Sequence, residues 1–419
     1  MKQLCREGVV DFVANNNLFI SGGAGTGKTY LIKELAEKLS SNRVVYVVAP
    51  TAQAAQNVLG RTLNSFFHLP PKIITSADAQ KIVISSQSLR EKLALVDYLI
   101  VDEVSMVLPS TLDAIDIMLR TAREDNTPLG GVRIILCGDM AQLPPVVQNT
   151  KQNGDLSERE VLTRVMGYKK PDIRFAHVWG DLNMARLELQ HPYRQQSDSE
   201  YAHSLGIIRR WLIEGNDDEL SQAITYFNDT CLGKSVDNPI SLCMTRKDAT
   251  RINQEALYAL PGREVAFEYE GGIFPKGTRA AEMLVLKNGM KVIFISNDPD
   301  HQFRNGDTGT IQAMNESEIV VKLSSNEVIE VQRFRYSDTQ YRIVNGKLIS
   351  TEANTVFQFP ILPCEAITVH ACQGLTLDIV RVYGEPFESG QMYTAISRTK
   401  NSQNLSLASR LFSNSFLVQ

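Results

Sequence analysis

The sequence predicts an α/β protein built on parallel sheets, with a smaller antiparallel β module set into its second half. Two observations predict the parallel part. Apolar runs that end in polar turns recur along the chain, at Leu18 to Ile20, in RVVYVVAPT, in DYLIVDE and in VRIILCGD. Between them lie stretches with apolar residues at helical spacing, such as Leu31, Ile32, Leu35 and Leu39 in KTYLIKELAEKL. Buried strands alternating with helices form a sheet covered on both faces, with its site at the strands' C-terminal ends. The third observation concerns residues from about 260 to 355. There MLVLKNGMKVIFISNDPDHQFRNGDTGTI and EIVVKLSSNEVIEVQRF read as short alternating strands split by Asn-Gly and Asn-Asp turns.

The elements follow in order. Leu18 to Ile20 is a short buried strand, then SGGAGTGKTY turns into a helix. RVVYVVAPT, DYLIVDE and VRIILCGD supply three further strands. The segment from about Pro70 to Leu89 reads as a loop and helix connecting two of them. The polar stretch from Gln148 to about Lys170 reads as a linker. A second α/β series follows, in which DNPISLCMTRKDATRINQEAL is strand, turn and helix. PCEAITVHACQGLTLDIVRVYG reads as helix then strand, and QMYTAISRT as a helix leading to an arginine.

Composition narrows the class. The 419 residues, 43% hydrophobic and 21% charged, suit two or three globular domains. No apolar run reaches transmembrane length, and MKQLCREGVVDF lacks the apolar core of a secretory signal. The six cysteines include no C-x-x-C pair, which favours reduced thiols in a cytosolic setting over a disulfide framework. Cys364, His370 and Cys372 come nearest to a metal cluster, with buried thiols beside a polar histidine as the favoured reading. A net charge of −4 argues against a chain coated for indiscriminate nucleic-acid binding, and leaves room for a local groove.

The chemistry concentrates in a few stretches. Gly22-x-x-x-x-Gly27-Lys28-Thr29 is a full phosphate-binding loop pattern. Its bare backbone, with Gly23, Gly25, Thr26 and Gly27, lets N–H groups curl around phosphate oxygens, and the following helix adds its positive end. Lys28 reaches the β- and γ-phosphates and Thr29 offers a hydroxyl to Mg²⁺. LIVDEVSM brings Asp102 and Glu103 to a strand end, where Asp102 holds the metal and Glu103 orients the attacking water. Taken alone, that acid pair is explained equally well by a capped turn. Gln142 in LCGDMAQLPPV can sense the γ-phosphate, or can belong to a turn before the Pro-Pro break. Arg194 in HPYRQ and Arg398 in AISRT are candidates to neutralise charge on a transferred phosphoryl group, each with a surface arginine as its plain alternative.

In order, these stretches resemble the helicase motifs of superfamily one, and specifically the Pif (petite integration frequency) family of DNA helicases and its RecD-type relatives. The segment DEVSMVLPSTLDAIDIMLRTAREDNTPLGGVRIILCGDMAQLPPV resembles the family's signature region. APTAQAAQNVLGRTLNSFFHLP resembles its first DNA-contacting motif, and ITVHACQGLTLD with QMYTAISRT its last two. The resemblance spans about Gln3 to Arg398. It implies two RecA-like P-loop NTPase lobes, with an inserted β-barrel of the Src-homology-three type in the second and a small wedge insertion in the first. The implied boundaries are 1–175 for the first lobe, with the wedge at about 70–90, then 176–258 with 356–419 for the second, and 259–355 for the barrel.

The resemblance also implies a 5′-to-3′ DNA helicase that uses ATP and Mg²⁺ in replication, recombination or repair, with telomere maintenance among the family's roles. By position, Lys28, Thr29, Asp102, Glu103, Gln142, Arg194 and Arg398 form the ATP site, and Gln3 stands where such helicases carry an adenine-reading glutamine. Thr51, Asn64, Ser65 and Phe66 lie on the strand-binding face of the first lobe, and Thr245, His370 and Gln373 on that of the second. Hydroxyls and amides grip phosphates, and aromatic faces stack on unpaired bases. Asn64 stands where the family usually has histidine, and Ala371 and Cys372 where lysine and serine are usual.

The expectation is an ATP-driven monomer on single-stranded and forked or structured DNA, without a membrane. The start about twenty residues before the glycine loop favours a bacterial or phage origin and a cytoplasmic setting, with a nuclear or mitochondrial one if the chain is the trimmed core of a eukaryotic protein. A translocase that does not unwind is the first rival. A P-loop phosphotransferase acting on a small molecule is the second, and a nucleic-acid-binding module with a degenerate ATPase the third.

Overall fold

The computed structural model describes residues 8–70, 73–147, 157–215, 218–274, 280–296, 298–300, 302–303, 306–344 and 347–416, with backbone alone at 52, 337–344 and 347–354. It forms two compact units. Unit 1 comprises Met1–Asp229, Pro386–Ser402 and Leu411–Gln419, and unit 2 comprises Thr230–Glu385 and Gln403–Arg410.

Unit 1 is built on a six-stranded parallel sheet. Its strands are β1 (Leu18–Gly22), β2 (Val45–Ala49), β3 (Arg61–Thr62), β4 (Tyr98–Val101), β5 (Arg133–Gly138) and β6 (Ala185–Leu189). They lie in the order β3-β2-β4-β5-β1-β6. Side chains alternate across the sheet and fill a core on each face. Phe19, Leu99, Val101, Ile134 and Leu136 pack with Leu112, Ile115 and Leu119 of the helix Pro109–Arg123. Leu18, Ile20, Ile100, Ile135 and Cys137 pack with Leu31, Ile32 and Leu35 of the helix Lys28–Leu39. Burial on both faces is why these strands read as continuous apolar runs.

The register places the chemistry. Ser21 of β1 pairs with Gly138 of β5, and Val101 of β4 pairs with Leu136. Because all three strands run parallel, their C-terminal ends bring the glycine loop, Asp102 and the Asp139–Gln142 turn to one edge.

Unit 2 carries a four-stranded parallel sheet, in the order Ala366–Thr368, Ile240–Cys243, Val380–Tyr383 and Leu405–Leu407. Between its first and second strands in sequence lies an antiparallel module. Five strands, Val328–Val331, Ile319–Leu323, Thr308–Met314, Lys291–Phe294 and Ile361–Pro363, form one sheet around a core that includes Phe294, Ile311, Val321 and Phe359. A long hairpin joins Phe334–Val344 to Lys347–Gln358.

Two expectations differ from the structure. The segment after residue 175 was expected in the second lobe. Instead β6 pairs with β1 from Leu18↔Ala185 to Gly22↔Leu189, and contacts keep the chain in unit 1 through Asp229. ITVHACQG, expected as a helix, contains the strand Ala366–Thr368, held parallel to Ile240–Cys243, followed by turns. The segment at 70–90 holds the helix Ser76–Ile84, capped reciprocally by Thr75 and Asp78, and leads to the helix Gln87–Ala94. Ala79, Val83, Leu89 and Leu93 all enter the unit 1 core. Residues 71–72, and 148–156 of the expected linker, lie outside the described residues. Among the described residues, no helix is long and apolar enough to cross a membrane.

Candidate active site

The glycine loop joins β1 to the helix Lys28–Leu39. Gly25 and Gly27 have φ of +78° and +84°, a left-handed backbone that glycine adopts without strain. Gly25 also has no room for a side chain, since a Cβ there would lie 2.3 Å from that of Arg194. The Lys28 ammonium donates to the carbonyl oxygens of Gly22 and Gly23, both at 2.9 Å, and is held against the loop. Thr26 closes the turn with its hydroxyl on the Gly23 carbonyl at 2.9 Å. Gly23 and Thr26 are thus bonded to each other within the loop. Gln3 lies outside the described residues.

Asp102 and Glu103 follow β4. The Thr29 hydroxyl lies 3.4 Å from Asp102 Oδ2, and the Glu103 N–H donates to Asp102 Oδ1 at 2.8 Å. Glu103 has φ +51° and ψ +44°. A non-glycine residue there costs on the order of 1–3 kcal/mol, and such strain gathers at functional sites. Asp102 is buried, and burial, then the charge of Glu103, push its pKa up to about 7, against the pull of the backbone bond, Lys28 and Thr29. A hydroxyl beside a buried carboxyl and a half-buried neighbouring one is a hard-oxygen donor set whose negative charge a divalent cation would neutralise. The residues present therefore fit Mg²⁺.

Gln142 is buried, with its N–H on the Asp139 carbonyl at 3.0 Å. Arg194 and Arg398, expected from a second lobe, both lie in unit 1. Arg194 donates its backbone N–H to the Gly25 carbonyl at 3.2 Å and Nη1 to the Ser397 carbonyl at 3.1 Å. Arg398 donates Nε to the Thr394 carbonyl at 2.8 Å and Nη2 to Ser397 Oγ at 3.0 Å. Burial, then the positive charge of Arg398, lower the Arg194 pKa to about 10. A buried guanidinium beside a half-buried one that it repels is poised for an anionic ligand.

Sequence reasoning missed a partly buried network beside the loop. Arg209, on the helix Ser199–Glu214, donates Nε to Asp139 Oδ1 at 2.9 Å, Nη1 to Glu188 at 2.6 Å and Nη2 to Ser21 Oγ at 2.9 Å. Tyr393 joins it through Asp139 Oδ2 at 3.0 Å. Only Asp139 left a trace in the sequence, as an acid after an apolar run.

The expected DNA-contacting residues separate. Thr51 and Thr245 hold equivalent positions, each capping the helix that follows a parallel strand: Thr51 accepts from the Ala54 N–H at 3.1 Å and Thr245 from that of Asp248 at 3.2 Å. Asn64 and Ser65 are exposed. Phe66 is not available to a base. It is fully buried, its ring 4.6 Å from that of Tyr46 and 4.8 Å from that of Phe67. In unit 2, His370 is half-buried and Gln373 buried. Ala371 is exposed, whereas Cys372 is buried with its thiol on the Val369 carbonyl, so the thiol does not replace a surface hydroxyl. Among the described residues no group of three or more histidines, cysteines and carboxylates could hold a metal, and the five described cysteines are buried and form no disulfide with one another.

Known proteins resemble this chain in sequence and fold. The family model of PIF1-like helicases matches residues 6–204. A Pif1 helicase from Bacteroides, solved with ADP-AlF3 and single-stranded DNA, is 30% identical. The match covers 100% of this chain and 95% of that one, with a TM-score of 0.72. A structure of two coordinating Pif1 helicases on forked duplex DNA matches at 28% identity over 99% and 94% of the two chains, with a TM-score of 0.72. The ATP-dependent DNA helicase Pif1 of Bdellovibrio bacteriovorus is 28% identical over 404 residues, covering 94% of this chain and 84% of that protein.

Proposed function

The chain belongs to the PIF1-like helicase family, and from that premise we propose that it moves 5′ to 3′ on single-stranded DNA, driven by hydrolysis of ATP in unit 1. It is an ATP-dependent DNA helicase. The observation that carries the catalytic reading is the gathering, on one unit, of Lys28 on the glycine loop, Thr29 against Asp102, a strained Glu103 and the neighbouring arginines Arg194 and Arg398.

The residues divide the work as follows. Loop N–H groups and Lys28 hold the β- and γ-phosphates. Thr29 and Asp102 hold Mg²⁺, which supplies positive charge to the phosphate oxygens. Glu103 orients a water and takes its proton. Gln142 senses the γ-phosphate, and Arg194 with Arg398 neutralises the charge that develops as it leaves. On the DNA side, exposed Asn64 and Ser65 in unit 1 and half-buried His370 in unit 2 are the contacts the burial pattern favours. The helix N-termini capped by Thr51 and Thr245 offer backbone N–H groups to phosphates. The reading takes single-stranded and forked DNA as substrates, the monomer as the moving unit, the cytoplasm as the compartment, and replication, recombination or repair as the setting.

The test is strand displacement on partial duplexes carrying a 5′ or a 3′ single-stranded tail, with Mg²⁺-ATP and Lys28→Ala as control. Unwinding from the 5′ tail alone, lost in the variant, is expected. ATP-driven movement on single strands without displacement supports the translocase instead. Turnover indifferent to DNA supports the phosphotransferase and overturns the reading.

A further inference from the structure

One short helix touches several parts of the catalytic apparatus, and a tyrosine makes the connection. Tyr393, on the helix Gln391–Ile396, is 1% exposed. Its hydroxyl accepts from the backbone N–H of Ala24, in the glycine loop, at 3.3 Å. It donates to Asp139 Oδ2 at 3.0 Å. Asp139 in turn accepts from the Ala141 N–H at 3.3 Å and from Arg209, and its carbonyl receives the Gln142 N–H. Arg209 returns to Ser21, the residue before Gly22. The ring of contacts is closed: loop, Tyr393, Asp139, Arg209 and β1. The same helix leads into Ser397, whose carbonyl receives Arg194, and then into Arg398.

We propose that Tyr393 is a positioning residue for ATP hydrolysis, whose hydroxyl holds the glycine loop, the Gln142 turn and the Arg194–Arg398 pair in one register. This rests on the ATPase reading above. Tyr393 touches no reacting atom; it acts through Ala24 and Asp139. Both hydrogen bonds are needed, because each ties the helix to a different strand end, the loop after β1 and the turn after β5. Burial and the Asp139 charge raise the phenol's pKa well above the ordinary tyrosine value, so the proton stays on the hydroxyl. Misplacing catalytic groups by about 1 Å is enough to slow a reaction roughly a hundredfold.

The test is Tyr393→Phe, which removes the oxygen and keeps the ring. Tyr168→Phe is the control. It deletes an equally buried phenol on a carboxylate, Asp113 at 2.7 Å, elsewhere in unit 1. DNA-stimulated ATP hydrolysis and melting temperature are measured for the wild type and each variant. The expected result is a kcat about tenfold or more lower in Tyr393→Phe, with KM for ATP within about threefold, while Tyr168→Phe keeps kcat at a similar melting-temperature loss. A kcat within twofold of wild type, or equal kcat losses in the two variants, overturns the proposal. Meta-fluorotyrosine installed at position 393 keeps the fold and the hydroxyl while weakening it as acceptor for the Ala24 N–H. It is expected to lower kcat with the melting temperature unchanged, and decides the matter should the phenylalanine variant not fold. A wild type without ATP turnover would instead strike at the ATPase reading, before any variant is compared.

Discussion

The hydroxyl of Thr29 lies 3.4 Å from Oδ2 of Asp102, joining the first turn of one helix to the end of a strand 73 residues later. That contact sets the first expectation. Asp102→Asn keeps the shape of the site and removes the charge that would hold Mg²⁺. ATP hydrolysis should fall roughly a hundredfold or more, through a weaker metal site. The melting temperature in a chelator should not fall, because the wild-type carboxylate is buried beside Glu103 and its charge is costly there. A variant that hydrolyses ATP at wild-type rate would remove Asp102 from the site.

Phe66 and Asn64 are two residues apart and should behave as opposites. Phe66 is fully buried against Tyr46 and Phe67, so Phe66→Ala should cost about 3–5 kcal/mol of stability by opening a cavity. Asn64 is exposed, so Asn64→Ala should leave the melting temperature alone and weaken single-stranded DNA binding by about 1 kcal/mol, roughly fivefold. Melting curves and DNA titrations of the two variants check this. Weakened binding with unchanged stability in Phe66→Ala would return the ring to the DNA face.

These two residues also show what a sequence makes legible. The glycine loop and the Asp102–Glu103 pair can be read directly because their chemistry is contiguous and each follows a strand. Phe66 cannot, because Leu63–Phe67 is a helix of one turn or so, with Phe66 and Phe67 both turned inward, and five residues set no clear period. β6 escaped for a related reason: ARLEL is an edge strand whose exposed residues flank a single buried one, Leu187, so it lacks the apolar run of its neighbours. The Tyr393–Asp139–Arg209 network was out of reach altogether. Its hydrogen bonds span 254 and 70 residues of sequence, and neither tyrosine nor arginine carries a mark of its distant partner.

Lys92 gives a pH dependence. Burial, then the charge of Arg61, lower its pKa to about 8, although its ammonium donates to the Phe66 carbonyl at 2.5 Å and lies 4.2 Å from the centre of the Phe66 ring. In the unfolded chain a lysine titrates near 10.4. Between those values the unfolded state binds more protons, so stability rises with pH. The penalty is fully present below about pH 8 and is relieved as pH approaches the unfolded value. Melting temperatures of the wild type and Lys92→Met should therefore converge as pH rises through this window, with the variant's advantage greatest near neutrality. An unchanging difference across the window would refute the shift.

Gly390 offers the sharpest test of how the helix Gln391–Ile396 is seated. It caps that helix with φ +74°, and a Cβ there would lie 2.5 Å from the carbonyl oxygens of both Ala141 and Gln142. Gly215 has nearly the same backbone, φ +73°, at the end of the helix Ser199–Glu214, but a Cβ there meets nothing within 4 Å. Comparing the two alanine variants separates strain from contact. Both carry the cost of a left-handed alanine, about 1–2 kcal/mol. Only Gly390→Ala must also push the helix off the Gln142 turn, against backbone atoms that cannot rotate away. Gly215→Ala should lose a few degrees of melting temperature and keep its ATPase rate. Gly390→Ala should lose more stability and also slow ATP hydrolysis, about tenfold or more, because the displaced helix carries Tyr393 and leads to Arg398. Equal rates in the two variants would mean that the seat of this helix on Gln142 is independent of catalysis.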